Sequence, residues 1–373
     1  MNKSVIAGLV IVAFIVLGFV VWENLGQNVE LTDDILKIGG GLENGDAPDV
    51  EAVVENLTIP WDIAFVGNGE ILVTERPGTL LKIGADSTRI EIEGVEHIGE
   101  GGLLGIALHP NFQVTKWVYL YLTTESADGL TNRVERYRLV GNELTEKTAI
   151  LGDIPGARYH DGGRIAFGPD GMLYITTGDA TREANAQNKN SLAGKILRIN
   201  ADGSVPTDNP FGNEIYSYGH RNPQGLTWDE NGNLWSTEHG RSGALSGLDE
   251  LNPITRGGNY GWPDSEGDTV LPGTLSPVLH SGPGTTWAPA SALYWDGSIF
   301  FGGLRGETLY EAVLDGTEII ELREHFAGDF GRIRTVTLGP DGMFYITTSN
   351  RDGRGEPTEG DDKIIRVNPS QFR

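Results

Sequence analysis

His160 has the setting most suited to chemistry among the chain's seven histidines. It stands in Tyr159-His-Asp-Gly-Gly-Arg164, just before an apolar strand-like run, and the two glycines allow backbone to come close to a ligand. Histidine is also the side chain best suited to moving a proton near neutral pH. His97, His280 and His325 sit in polar or loop contexts, and His109 precedes Pro110 in a turn, all of which read as structural. Arginine is the second anomaly, with 20 Arg against 8 Lys. Arg221 lies in Tyr218-Gly-His-Arg-Asn-Pro-Gln-Gly225, Arg305 in Gly302-Gly-Leu-Arg305, and two more in Gly331-Arg-Ile-Arg334. The two-residue spacing sends Arg332 and Arg334 to one face of an extended segment. The guanidinium fork pairs with carboxylates, so these loops predict a pocket for an anionic ligand, with ion pairs inside the protein as the competing reading. A third cluster joins Thr237-Glu-His-Gly-Arg241, Asp249-Glu-Leu-Asn252 and Gly257-Gly-Asn-Tyr-Gly-Trp-Pro263. Carboxylates, an Asn and glycine-exposed carbonyls are the oxygen ligands that Ca²⁺ prefers.

The elements that must position these residues recur six times. Each copy is an apolar run, a Gly-containing turn and a second strand-like run: residues 62–74, 105–123, 164–176, 225–235, 291–301 and 336–347. Asn68-Gly69, Asp170-Gly171, Asn231-Gly232, Asp296-Gly297 and Asp341-Gly342 stand where hairpins would fold back. This periodicity predicts an all-β, six-bladed β-propeller of four-stranded antiparallel blades. Such a ring gathers the loops between blades around one central pocket, so residues distant in sequence can meet there.

Composition narrows the function further. The formal net charge is −24, from 52 acidic and 28 basic residues, which argues against nucleic acid as a partner. The chain has no cysteine, which excludes disulfides, thiol catalysis and thiolate metal sites. Val5 to Trp22 is an uncharged apolar run long enough to cross a bilayer as a helix, with Lys3 before it and no positive charge close behind. Residues 1–22 are therefore read as an uncleaved transmembrane anchor with a cytoplasmic N-terminus, a cleaved signal peptide being the alternative. Residues 23–49 read as an acidic flexible linker. Residues 50–373 form the propeller domain, placed on the extracytoplasmic side.

Together the motifs resemble the soluble-type pyrroloquinoline quinone (PQQ)-dependent glucose and aldose sugar dehydrogenases, a glucose/sorbosone dehydrogenase-like family. The resemblance runs from about Pro60 to Asn368. It rests on Pro60-Trp-Asp-Ile-Ala-Phe65, Gly99-Glu-Gly-Gly-Leu-Leu-Gly105, His160-Asp-Gly-Gly-Arg164, Gly194-Lys-Ile-Leu-Arg-Ile199, Asp208-Asn-Pro-Phe211, Gly219 to Gly225, Asp249-Glu-Leu-Asn252 and Gly258-Asn-Tyr-Gly-Trp-Pro263. It implies a dehydrogenase that oxidises aldose sugars at C1 to lactones and passes electrons to a separate acceptor. His160 would be the general base, Arg221 would hydrogen-bond the quinone oxygens, and Asn222 would contact PQQ beside it. Arg305, Arg332 and Arg334 would pair with the three cofactor carboxylates. One Ca²⁺ would sit at the cofactor on the carbonyls of Gly240 and Arg241, and a second, structural Ca²⁺ would use the Glu250 carboxylate and the Tyr260 carbonyl.

The sequence departs from that pattern in places. Glu100, at a cofactor-contacting position, stands where relatives often have Gln, and a carboxylate there repels an anionic cofactor unless protonated or paired. Arg241 stands in place of the usual Pro, Arg305 of Lys and Asn350 of Asp, and the loop from Ser242 to Leu248 looks extended. Two other functions fit a propeller: a Ca²⁺-dependent lactonase-type hydrolase, which needs no arginine cluster, and a non-enzymatic binding propeller, which needs neither His160 nor Arg221.

Overall fold

A computed structural model describes residues 49–242 and 246–373 as a ring of six four-stranded antiparallel sheets. After a leading strand β1 (Val50–Val54), the first blade holds β2 (Pro60–Gly67), β3 (Glu70–Glu75), β4 (Thr79–Ile83) and β5 (Thr88–Glu91). The second holds β6 (Leu103–Leu108), β7 (Trp117–Ser126), β8 (Gly129–Val140) and β9 (Glu143–Pro155). The third is β10 (Ile165–Phe167), β11 (Leu173–Thr177), β12 (Lys195–Ile199) and β13 (Ile215–Tyr218). In the fourth are β14 (Pro223–Trp228), β15 (Leu234–Glu238), β16 (Glu250–Ile254) and β17 (Leu279–His280). The fifth comprises β18 (Pro289–Trp295), β19 (Ser298–Gly303), β20 (Thr308–Asp315) and β21 (Glu318–His325). The sixth has β22 (Ile333–Leu338), β23 (Phe344–Thr348) and β24 (Ile364–Val367), and β1 pairs with β24 to complete it, Val50 opposite Val367. That pairing ties the start of the domain to its end and leaves no open seam in the ring.

The six sequence copies are the inner hairpins of the six blades. Their apolar runs are continuous because both faces of each inner strand are buried, each face against a different blade. In β7, Tyr119 and Tyr121 pack toward the third blade with Ile165 and Ile175, while Val118, Leu120 and Leu122 pack toward the first with Leu72 and Leu80. In β19, Phe300 joins Phe344 of the sixth blade, whereas Ile299 and Phe301 join Trp235 of the fourth. The core is thus divided into layers between blades, and deleting one fully buried ring such as Phe300 costs about 3–5 kcal/mol. Gly105 is required where β6 meets the backbone at Gly163, because a Cβ would collide with that carbonyl. The paired Gly-Pro-Asp-Gly turns build one device twice. Asp170 accepts from Arg198 and Tyr174, and Asp341 accepts from Arg366 and Tyr345.

The anchor and nearly all of the linker expected from the sequence lie outside the described residues. Among the described residues no helix is long and apolar enough to cross a membrane.

Candidate active site

His160 lies in the segment leading into β10 (Ile165–Phe167), and Asp179 lies just past the end of β11 (Leu173–Thr177). These strands pair antiparallel with Ile165 opposite Ile175, so the two flanking segments arrive side by side. His160 Nδ1 lies 2.8 Å from Asp179 Oδ1, and Trp262 Nε1 donates to Asp179 Oδ2 at 2.9 Å. An acceptor at Nδ1 fixes the N–H there and leaves Nε2 free to take a proton. The backbone is held in an unusual conformation to do this. His160, Ala180 and Thr181 have φ of 64°, 54° and 59°, in the left-handed region that non-glycine residues rarely adopt. Glu100 Oε2 accepts the His160 N–H at 3.0 Å, Ala180 N donates to His160 O at 3.2 Å, and Thr181 N donates to Asp179 Oδ1 at 2.7 Å. Strain of about 1–3 kcal/mol per residue persists where several contacts hold it, and it concentrates at functional sites.

His160 opens onto a cavity of about 390 Å³ whose walls include Glu100, Tyr159, His239, Arg241, Asp249, Arg305, Arg332 and Arg354. The structure therefore brings His160, Glu100, Gly240, Arg241, Arg305 and Arg332 together around one space. Arg334 does not line it. It is buried deeper, 5.4 Å from the Trp61 ring centroid, and donates to Gln224 Oε1 at 3.2 Å. Arg332 lines the cavity and is also engaged within the protein. Its Nε and one terminal nitrogen hold Asp352 Oδ2 at 3.2 and 2.8 Å, and the other donates to Leu304 O at 2.8 Å. Among the described residues, Arg305 donates to Ser246 Oγ alone, at 3.3 Å.

Arg221 and Asn222 bridge β13 and β14. The Arg221 guanidinium lies 5.4 Å from the Trp262 ring centroid and donates to Ser242 Oγ at 2.8 Å, while its backbone N–H is held by Glu238. Asn222 Oδ1 accepts from Gly162 N at 3.0 Å. Asn222 Nδ2 and Arg334 Nε are buried with no hydrogen-bond partner among the described residues. Two orphaned donors beside an arginine-lined cavity suit a ligand rich in oxygen acceptors and negative charge.

Glu100 is ionised despite its setting. Burial pushes its carboxyl up, but His239, the His160 N–H and Arg354 outweigh this and hold it down at about 2. Burial in turn holds His239 down at about 4, so at neutral pH the imidazole is uncharged and Arg354 is the cation in direct contact with Glu100, Arg76 and Arg221 acting on it without a hydrogen bond.

A second, much smaller cavity of about 10 Å³ lies next to the first, with Gly240 in the wall of both. Its lining includes Arg221, Glu238, Glu250, Tyr260 and Glu266. Glu250 on β16 stands opposite Glu238 on β15, and burial followed by repulsion from Glu238 pushes the Glu250 carboxyl up to about 8. Two carboxyl groups facing a hole the size of one water or ion, one held protonated by burial and by the other's charge, are a place where a cation would let both ionise. Among the described residues no three His, Asp or Glu side chains are already gathered as a metal cage. A site here would need backbone carbonyls, which the glycine at position 240 favours, since a Cβ there would strike Gly247 and Leu248. The Arg241 carbonyl accepts from Gly247 N at 3.3 Å, and its side chain pairs with Glu266.

Several site residues escaped the sequence reading. Asp179 was legible in principle, because a residue just after the second strand of a hairpin must lie near one just before the first. Asp249 receives Gly240 N, Thr286 Oγ1 and the N–H groups of Trp287 and Ala288, a role its acidic motif concealed. Arg354 carried no local signal, since its partner Glu100 lies in another blade.

A propeller that gathers a histidine–aspartate pair and several arginines around one cavity has the frame of a cofactor-dependent oxidoreductase, and comparison with known proteins specifies the class. The profile of the Glucose / Sorbosone dehydrogenase family matches residues 57–365. Aldose sugar dehydrogenase YliI of Escherichia coli is 30% identical over 364 residues, spanning 86% of this chain and 93% of that protein. The PQQ-bound aldose sugar dehydrogenase of Streptomyces coelicolor superposes with a TM-score of 0.78 at 39% identity, covering 85% of this chain and 97% of the other. Quinoprotein glucose dehydrogenase B of Acinetobacter calcoaceticus is 33% identical over 257 residues, 59% of this chain and 53% of that one. The chain belongs to the glucose/sorbosone dehydrogenase family and is an oxidoreductase of the sugar dehydrogenase class.

Proposed function

We propose that this protein oxidises aldoses at C1 to lactones, using PQQ and Ca²⁺. The observation that carries the reading is the His160–Asp179 pair opening into the cavity that Arg305 and Arg332 also line. Bound PQQ would supply the hydride acceptor and Ca²⁺ a Lewis acid beside it. His160 Nε2 takes the C1 hydroxyl proton as the C1 hydride departs, and Asp179 stabilises the resulting imidazolium. Arg221 would offer guanidinium donors to the quinone oxygens of the cofactor. Asn222 offers its unpartnered Nδ2 beside them. Arg305, Arg332 and Arg334 would pair with the carboxylates of the cofactor, Arg334 through its unpartnered Nε. The carbonyls of Gly240 and Arg241 would hold the cofactor's Ca²⁺, and Glu250 with the Tyr260 carbonyl a second ion that serves the fold.

The sequence further supports an N-terminal anchor, with the propeller outside the cytoplasm and reduced cofactor passing its electrons to a separate acceptor. The direct test of the reaction is dye reduction by the anchor-free domain, supplied with PQQ and Ca²⁺, across a panel of aldoses. Reduction that needs both additions supports the assignment, and none with any sugar would overturn it.

A further inference from the structure

Glu100 is a largely buried carboxylate in the wall of a cavity whose proposed occupant is an anion. One of its oxygens is taken by the His160 N–H at 3.0 Å. The other accepts from Arg354 Nη1 at 2.8 Å. Arg354 follows β23, so this pair joins the sixth blade to the segment leading into β6. Arg354 lines the same cavity and lies 5.7 Å from the ring centroid of Tyr159, the neighbour of His160. Its Nε and second terminal nitrogen donate to no described residue, and its side chain is 49% exposed while that of Glu100 is 16% exposed.

An ordinary exposed ion pair contributes little to stability. This one matters because one member is desolvated and faces the cavity: without a counterion, Glu100 would repel any anion that enters. Chemistry also separates Glu from Gln at such a place. An amide accepts through its oxygen and donates through its nitrogen, whereas a carboxylate only accepts. Glu100 can receive the His160 N–H as a glutamine would, but it cannot offer a donor to the cavity. Arg354 has five N–H donors and spends one on Glu100.

We propose that Arg354 is a cofactor-positioning residue of this chain: it neutralises Glu100 and supplies the hydrogen-bond donors that Glu100 lacks. The pair divides between two blades the accepting and donating roles that one amide side chain could fill. The inference rests on the cavity being the PQQ site.

The test is equilibrium PQQ titration in Ca²⁺, read by tryptophan fluorescence, with wild type, Arg354→Ala, Arg354→Lys, Glu100→Gln and the Glu100→Gln/Arg354→Ala double variant. Arg354→Ala should weaken PQQ binding by about tenfold or more, the effect of one uncompensated partly buried charge. The deficit should shrink as salt rises, because the cavity mouth is open to screening. Arg354→Lys should recover much of the affinity. In the double variant the repelling charge is gone, and affinity should return to within about threefold of wild type. If Arg354→Ala binds like wild type, or if the double variant binds as poorly as Arg354→Ala, the pairing is not what positions the cofactor. A wild type that takes up no PQQ would remove the reading of the cavity itself, and this inference with it.

Discussion

Asp179 Oδ1 and His160 Nδ1 lie 2.8 Å apart because β10 and β11 pair and deliver both residues to the same end of the third blade. Asp179 is fully buried and also receives Trp262 Nε1, so the imidazole is held in one orientation with its second nitrogen toward the cavity. His160→Ala should therefore lose turnover by about a hundredfold or more, the usual worth of a positioned general base. Asp179→Asn should also lose about a hundredfold, since an amide can donate to Nδ1 and reverse the tautomer. Neither change should move PQQ affinity by more than about threefold. Steady-state rates beside a PQQ titration check this, and near-parental turnover in His160→Ala would make the loop a structural turn.

Arg221→Ala should behave differently from both. Its guanidinium packs over Trp262 and reaches Ser242, next to the small cavity and the orphaned Nδ2 of Asn222. Loss of this donor should lower turnover and PQQ affinity together, because it serves the bound cofactor before and during reaction. A variant with normal affinity and reduced turnover would confine Arg221 to the transition state.

Ca²⁺ should stabilise the fold through the hole beside Glu250. Binding to the native state alone adds about 2.7 kcal/mol at a hundred times Kd, so chelator should lower the Tm of wild type. Glu250→Ala should melt lower than wild type in Ca²⁺ and respond little to chelator. A variant that melts like wild type and still responds would place the ion elsewhere.

Asp161 gives a pH signature independent of any ligand. Burial pushes its carboxyl up from 3.8 to about 6, against the hydrogen bonds from Asn132 and Ala157, and its Oδ2 is buried without a partner among the described residues. The folded state therefore holds this proton more tightly than the unfolded chain. The stabilisation is fully present below about pH 4 and is lost as pH rises through about 6, a change of about 3 kcal/mol for a shift of this size. Asp161→Asn keeps the shape and removes the charge. It should flatten that part of the Tm profile and raise Tm at pH 8, and a profile parallel to wild type would contradict the assignment.

The ring was legible because each inner strand buries both faces, which wrote the same apolar run and Gly turn into the sequence six times. Local chemistry also survived in one dimension: His160, Arg221 and Asn222 stood out in loops that precede inner strands. What was hidden depends on contacts between blades. Arg332 looked available to a ligand until Asp352 was placed against it, and the two-residue spacing of Arg332 and Arg334 did not put both at the cavity. The difficulty posed by a carboxylate at position 100 was visible in the sequence, whereas its solution, Arg354, comes from the sixth blade, 254 residues further along the chain.

The most direct test of the proposed reaction is a single turnover without an electron acceptor. The protein, loaded with PQQ and Ca²⁺, is mixed anaerobically with an aldose while the cofactor absorbance is followed and lactone is quantified. Reduction of the bound cofactor with one lactone formed per loaded site, slowed by about a hundredfold or more in His160→Ala, is the expected result. Firmly bound PQQ whose spectrum no aldose alters would contradict it.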